Sequence, residues 1–236
     1  QLQRLIVSSA TYRQSSQLTA KKLAADPENI WLSRAPRLRL KAEVVRDQAL
    51  AVSGLLIGPI GGPSVKPYQP EGLWAEISSQ VYVRDDAESL YRRSMYTFWK
   101  RTVPPPLMMT FDASSREICV LTRSRTNTPL QALALLNDVT FVESARRLAA
   151  AMMLEGGVES TARLNWGFRQ LTARRPTKQE LQILQRTLGR ALERYQQDPE
   201  AAAELGPSLA PLVCHLTFSS CVRGGRCRWW IAAASL

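Results

Sequence analysis

The chain has 236 residues, and its 31 lysines and arginines outnumber its 20 aspartates and glutamates, which makes the formal net charge +11. No apolar run approaches the roughly 20 residues that a bilayer-spanning helix requires, so we predict no transmembrane segment. The only histidine is His215, which excludes a histidine-based catalytic triad or a multi-histidine metal site made by this chain alone.

The positive charge is spread along the chain. Many arginines alternate with apolar residues, a pattern typical of the solvated face of a helix. The sequence begins at Gln1, and its first residues lack the basic, apolar and cleavage regions of a secretion signal. We therefore expect a fragment of a longer protein, with any targeting signal outside this sequence.

Three helices are predicted in the first 54 residues. The apolar residues of the first form a helix-like face, namely Leu2, Leu5, Ile6 and Val7. A second, short helix should end before Asp26, because a residue that precedes proline avoids the helical region. The third helix covers LRLKAEVVRDQALAVSG, and Gly54 suits the position after its end. Its predicted core-facing stripe consists of Leu40, Val44, Val45, Ala49 and Val52.

Residues 58–72, GPIGGPSVKPYQPEG, are rich in glycine and proline, so neither helix nor strand is predicted there. A phosphate-binding loop requires lysine directly after its last glycine, whereas Lys66 comes four residues after Gly62. We therefore reject a nucleotide site in this loop. Residues 80–86, QVYVRDD, have the alternation of a short strand.

The run YRRSMYTFWKRTVPPPLMMTFDASSRE, residues 91–117, combines aromatic rings, cations, three consecutive prolines and two acids. Its first part has bulky side chains on both sides, which fits either a buried strand or a helix buried all round. The prolines at 104–106 then predict an extended exit from this part.

Four helices are predicted between residues 127 and 197. Asn127 or Thr128 caps the first, and Pro129 occupies its first turn, where a missing N–H is tolerated. The second helix ends at two consecutive glycines, 156 and 157, and the third covers ESTARLNWGFRQLTA. Thr177 and Glu180 form a capping box at the start of the fourth, whose leucines recur at helical spacing.

The cysteines give no metal site. Cys214, Cys221 and Cys227 lie near His215, but they are separated by seven and six residues, whereas structural zinc ligands are typically about two to four apart. Cys119 stands alone and is interpreted as a small buried apolar residue.

These patterns predict a mainly α fold, a helical domain with long proline- and glycine-rich loops and at most a few short strands. Residues 1–205 are interpreted as a single helical domain. Residues 206–236 are an atypical basic tail without any acidic residue, which is either non-native or a genuine extension.

One cluster of polar and aromatic residues is the candidate site. It consists of Arg92, Arg93, Trp99, Lys100, Arg101, Asp112, Arg116, Glu117, Arg125 and Asn127. One interpretation is a concave polar site lined by aromatic rings, which suits carbohydrate or an anion. The favoured interpretation is an arginine–acid network that holds an irregular segment to the helices. No spacing fixes two carboxylates across a sugar, and no catalytic residue is assigned.

Several of these stretches together resemble a known family. IVSSATYRQSS, GGPSVKPYQPEGLW, LYRRSMYTFWKRTVPPPLMMTFDASSRE, RTNTPLQALALLND and RRPTKQEL resemble the planctomycete domain of unknown function that lies C-terminal in large surface proteins, downstream of cytochrome-c-like modules. The resemblance runs from about Leu2 to Leu205. It implies an exported, periplasmic or cell-surface setting, with haem c in an upstream module and no cofactor in this chain.

The leading functional hypothesis is a non-catalytic interaction or scaffold module of an exported multidomain protein, whose partners are other modules of the same polypeptide. We do not expect an enzyme. The alternative is a carbohydrate-active domain or one that binds acidic polysaccharide. Nucleic acid is not an expected partner, because the chain lacks a recognition helix, a basic block and an RNA-binding motif.

Overall fold

The computed structural model describes residues 1–77 and 79–205, apart from the side chains of residues 204 and 205. Within these ranges the chain forms α-helices, two short 3₁₀ turns and only isolated β-bridges, so the predicted mainly α class is confirmed. The helices are α1 Leu2–Ser8, α2 Ala20–Ala25, α3 Ala42–Val52, α4 Pro106–Thr110, α5 Pro129–Asn137, α6 Val139–Glu155, α7 Ser160–Thr172, α8 Lys178–Gln197 and α9 Pro199–Leu205. The predicted basic tail lies outside the described residues.

The chain divides into two compact units, of which the first is Gln1–Leu40 and the second begins at Lys41. The first unit contains α1 and α2. Thr19 caps α2, since its side chain accepts a hydrogen bond from the backbone N–H of Lys22, and α2 ends before Asp26 as predicted. None of the buried apolar residues in the described chain belongs to this unit.

In the second unit, α3 packs against α6 and α7, and α7 packs against α8. One apolar cluster, built around Met108, Phe111 and Phe141, joins α4 and α6 to α3. A second joins α6, α7 and α8 through Met152, Leu164, Leu188 and Ala191.

The predicted stripe on α3 is wrong in part. Val44 is 45% exposed, and the buried positions of α3 are Ala42, Arg46 and Leu50. These three recur every four residues, so they form one helical face. The stripe was predicted from apolar residues alone, whereas an arginine occupies the centre of the buried face.

Local helix signals are confirmed. Thr128, one of the two candidate caps, forms a capping box with Gln131, and Asp138 ends α5 and begins α6. The predicted box of Thr177 and Glu180 is present at α8. Hydrogen bonds lower the pKa of the Glu180 carboxyl to about 2: the larger effect comes from the Arg174 guanidinium and the smaller from the backbone N–H of Thr177.

Residues 58–72 form no helix, as predicted, but residues 80–86 form no strand. The segment that follows Arg93 is neither the strand nor the helix considered for it, and it begins with a 3₁₀ turn, Ser94–Tyr96. The N–H of Val65 donates to the Tyr96 carbonyl at 2.8 Å, and the carbonyl of Val65 accepts from the Phe98 N–H at 2.7 Å. Prolines close to Val65 on both sides offer no N–H, so this pairing cannot extend into a ladder.

A glycine brings α6 and α7 into close contact. A Cβ at Gly167 would lie 2.7 Å from the sulfur of Met152, which is itself buried. By contrast, a Cβ at Gly189 in the middle of α8 would meet no atom of the described residues within 4 Å.

These two glycines form a matched pair for a stability test. We expect Gly167→Ala to lower the free energy of unfolding by about 1–2 kcal/mol, because the buried Met152 must move. Gly189→Ala should raise it by about 0.5–1 kcal/mol, because alanine loses less backbone entropy in a helix. Urea denaturation followed by circular dichroism measures both, and equal effects of the two substitutions would contradict the packing described.

Candidate functional site

A buried arginine holds the irregular segment that follows residue 89. Arg46 is 2% exposed, and its Nη1 donates to the carbonyl of Arg92 and the hydroxyl of Ser94, at 3.0 and 3.1 Å. Its Nη2 donates to the carbonyl of Leu90 at 2.6 Å. One guanidinium on α3 therefore binds three groups of a segment that makes no ladder of its own.

Asp47, the next residue on α3, binds the same segment through its carboxylate. The Asp47 carboxylate accepts a hydrogen bond from the Ser94 N–H at 2.7 Å. Burial lowers the pKa of the Arg46 guanidinium, while Asp47 and Asp138 raise it in part. Neither acid forms an ion pair with Arg46, which has no carboxylate within 4.0 Å in the described chain.

Arg92, the first member of the predicted cluster, contacts the loop of residues 58–72. Its guanidinium donates to the carbonyl of Pro63 at 2.8 Å and to that of Gly61, and it lies 4.1 Å from the centre of the Tyr96 ring. Tyr96 in turn accepts at its hydroxyl from the Gly61 N–H, at 2.7 Å. This arginine therefore attaches the loop to the segment that Arg46 anchors.

Cations of the same chain cover two indole rings, that of Trp99 in the cluster and that of Trp74 outside it. Arg116 lies 4.5 Å from the centre of the Trp99 ring, and Trp99 also packs against the core cluster of α3, α4 and α6. Lys100 lies 4.2 Å from the ring of Trp74, which is buried. Neither indole therefore presents an open face on which a sugar ring could stack.

Asp112 supports the chain that leads to α5. Its carboxylate accepts from the N–H and the hydroxyl of Thr126, at 2.7 and 2.9 Å, and the amide of Gln131 reaches the same hydroxyl at 3.1 Å. Arg123 reaches both carboxylate oxygens of Glu43 on α3, each at 2.9 Å. These acids therefore serve as anchors for an irregular stretch.

The rest of the predicted cluster is solvent-exposed. These residues are Arg93, Arg101, Glu117, Arg125 and Asn127. Cys119 is also exposed, so its interpretation as a buried apolar residue is wrong. The reason is that residues 116–121 form an exposed irregular stretch, a position that residue type alone does not reveal. The other three cysteines and His215 lie outside the described residues.

A cavity of about 320 Å³ opens beside Arg46 in the second unit. Its wall includes Arg46, Thr97 and Asp138, together with prolines, Leu107, Met108 and apolar residues of α5. Thr97 is 5% exposed, and its hydroxyl has no hydrogen-bond partner within the described part of the chain. Neither Arg46 nor Thr97 was predicted from the sequence as a site residue, although the four-residue spacing of Arg46 from Ala42 and Leu50 was a usable signal.

Two tyrosines near this region stay protonated far above neutral pH. Burial, followed by a hydrogen bond to Glu143, raises the pKa of Tyr91 to about 12. Burial also raises the pKa of Tyr82 to about 12, and its hydroxyl donates to the Pro67 carbonyl.

Among the described residues, no group of three or more histidine, cysteine or acidic side chains is placed to hold a metal ion.

A family model matches residues 1–188, which is most of the chain. The protein belongs to the PSD1 family, described as proteins of unknown function (DUF1553). The resemblance to a domain of unknown function is thereby confirmed. No curated protein and no solved structure matches the chain. In the part of this PSD1-family chain that the structure describes, no helix has the length and apolarity to cross a membrane.

The anchoring role of Arg46 is testable. We expect Arg46→Lys to lower the free energy of unfolding by about 3 kcal/mol, because an ammonium cannot reach the three acceptors of the planar guanidinium. The control is Arg190→Lys on the exposed surface of α8, which should change it by less than about 0.5 kcal/mol. Urea denaturation measures both, and similar values would show that Arg46 is no special anchor.

Proposed function

We propose that this PSD1-family chain is a non-catalytic interaction module of an exported multidomain protein, in a periplasmic or cell-surface setting. Its motifs resemble those of planctomycete domains that follow cytochrome-c-like modules. On this proposal any haem c belongs to an upstream module, and this chain holds no cofactor. The partners are other modules of the same polypeptide.

The observation that carries the proposal is the unburied apolar surface of the first unit. Leu2 and Leu5 of α1, and Ile30 and Trp31 after α2, are all exposed, with Trp31 at 78%. Burying such a side chain contributes about 1.5–3 kcal/mol, so a surface of this kind favours association. Exposed tryptophans in particular are enriched among the residues that dominate binding energy.

The turn that presents Trp31 is held in one conformation by its own hydrogen bonds. The buried carboxylate of Asp26 accepts from the N–H groups of Ile30 and Trp31, at 2.8 and 3.0 Å. Arg34 donates to the carbonyls of Asp26 and Pro27, each at 2.7 Å. A tryptophan on a preorganised turn loses little conformational entropy on binding, which supports a role in recognition.

The contacts of the candidate cluster also support a non-catalytic role. Arg92, Asp112 and Arg116 are engaged with carbonyls, a threonine and an indole of the same chain. A general acid or base must reach the substrate, and a nucleophile needs an adjacent base. The contacts of these three side chains support a role in holding loops in place.

The proposal predicts a specific loss of binding. We expect the double substitution Ile30→Ser and Trp31→Ser to weaken the affinity for the separately produced upstream modules of the polypeptide by about 30-fold or more, as for the removal of an interface anchor of roughly 2 kcal/mol. Isothermal titration calorimetry measures this affinity.

The control is Ile60→Ser, which removes an equally exposed apolar side chain, 85% accessible, from the second unit. It should leave the affinity unchanged. The proposal fails if the unmodified chain does not bind the upstream modules, or if the double substitution and the control behave alike.

The alternative, binding of acidic polysaccharide, is supported by the net charge of +11. The covered faces of Trp74 and Trp99 do not favour stacking on sugar rings. On this basis we expect retention on immobilised sulfated polysaccharide and on DNA to be similar, and to disappear at ~1 M salt, because counterion attraction is screened. Retention on the glycan alone that survives this salt concentration would favour the alternative.

A further inference from the structure

We propose that the cavity beside Arg46 binds a carboxylate group carried on a small apolar body. The cavity is lined by residues of the second unit alone, and the proposal is independent of the interaction surface on the first unit. Its volume, about 320 Å³, is at the lower end of the range of small-molecule sites.

The Arg46 guanidinium is a buried cation in the cavity wall. It lines the cavity, is almost fully buried and forms no ion pair with a carboxylate in the described chain. Its hydrogen bonds to Leu90, Arg92 and Ser94 use three of its five N–H groups, which leaves two for a ligand. A buried cation is stabilised by an anion that hydrogen-bonds it, and the guanidinium fork matches a carboxylate.

Thr97 provides a second donor, on a different segment from Arg46. Thr97 lines the same cavity, and its buried hydroxyl has no hydrogen-bond partner among the described residues. A buried hydroxyl without a partner costs free energy, and such groups are uncommon in folded proteins. The Thr97 hydroxyl can donate a hydrogen bond to a carboxylate oxygen. The cavity wall therefore offers two kinds of donor, a guanidinium and a hydroxyl, to one anionic group.

The rest of the wall selects the body of the ligand. Most of it consists of proline rings and apolar side chains, namely Pro67, Pro70, Pro105, Pro106, Leu107, Met108, Leu130, Leu133 and Ala134. Proline has no backbone N–H to offer a polar ligand, so this surface gains most from an apolar or aromatic group.

Asp138 limits the charge of the ligand. Asp138 lines the cavity, and its carboxylate accepts a hydrogen bond from the Thr140 N–H at 2.9 Å at the start of α6. A second negative charge on the ligand would be repelled by this carboxylate, which disfavours phosphate and sulfate relative to a monocarboxylate. The preferred ligand is therefore an acid with one negative charge and an apolar body.

The first test uses 3-phenylpropionate and its neutral analogue 3-phenylpropionamide, titrated into the full chain and followed by NMR. We expect the acid to bind. The amide should bind at least about tenfold more weakly, because it lacks the negative charge that pairs with Arg46. Equal affinities would overturn the carboxylate assignment. The absence of acid binding at ~10 mM would overturn the site itself.

Substitutions then place the ligand. Thr97→Val removes a hydroxyl that has no hydrogen-bond partner in the described ranges, so the fold should be retained while the affinity for the acid falls about tenfold. Leu133→Glu, in the cavity wall on α5, should abolish binding, whereas Leu136→Glu on the same helix, outside the wall and similarly exposed, should leave it unchanged. An affinity that neither Thr97→Val nor Leu133→Glu alters would overturn the proposal.

A peptide with a C-terminal phenylalanine carries the same chemistry as the small acid. The carboxylate could therefore come from a small acid or from the C-terminus of a polypeptide. Comparing the free-carboxylate and amidated forms of such a peptide distinguishes these two sources. Binding of the free form alone extends the proposal to chain termini, and binding of neither form restricts it to small acids. Equal binding of both forms contradicts the role given to the carboxylate.

Discussion

The second unit depends on one buried cation. Arg46 occupies the centre of the buried face of α3, between Ala42 and Leu50, where an apolar residue would be expected. Its guanidinium replaces the missing backbone partners of an irregular segment, whose carbonyls at Leu90 and Arg92 would otherwise be left without donors. The desolvation of the charge is offset only because these acceptors are placed around it.

Other irregular parts of the second unit follow the same rule. Where prolines and glycines prevent helices and ladders, arginines and acids bind backbone groups across long sequence separations. Arg92 binds carbonyls of residues 61 and 63, and Asp112 binds the N–H of Thr126. Cations also cover the rings of Trp74 and Trp99. The high arginine content thus has a structural role as well as a surface one.

The two units differ in how they use their apolar residues. The second buries them in two clusters between helices, whereas the first displays them and buries Asp26 instead. In the first unit, a carboxylate orders a turn that carries an exposed tryptophan. In the second, a guanidinium orders a segment that lines a cavity. Each buried charge therefore lies next to a surface suited to binding.

The sequence by itself determined the mainly α class, the caps at Thr128 and Thr177 and the irregular loop at 58–72, because each depends on neighbours within four or five residues. Only the tertiary structure decided that Arg46 is buried, that Cys119 is exposed and that the indole of Trp99 is covered. The candidate residues were chosen by type, and their roles depend on partners far away in the chain. Arg46 and Arg92, 46 residues apart, meet only when α3 packs against the segment, and no local pattern encodes that contact.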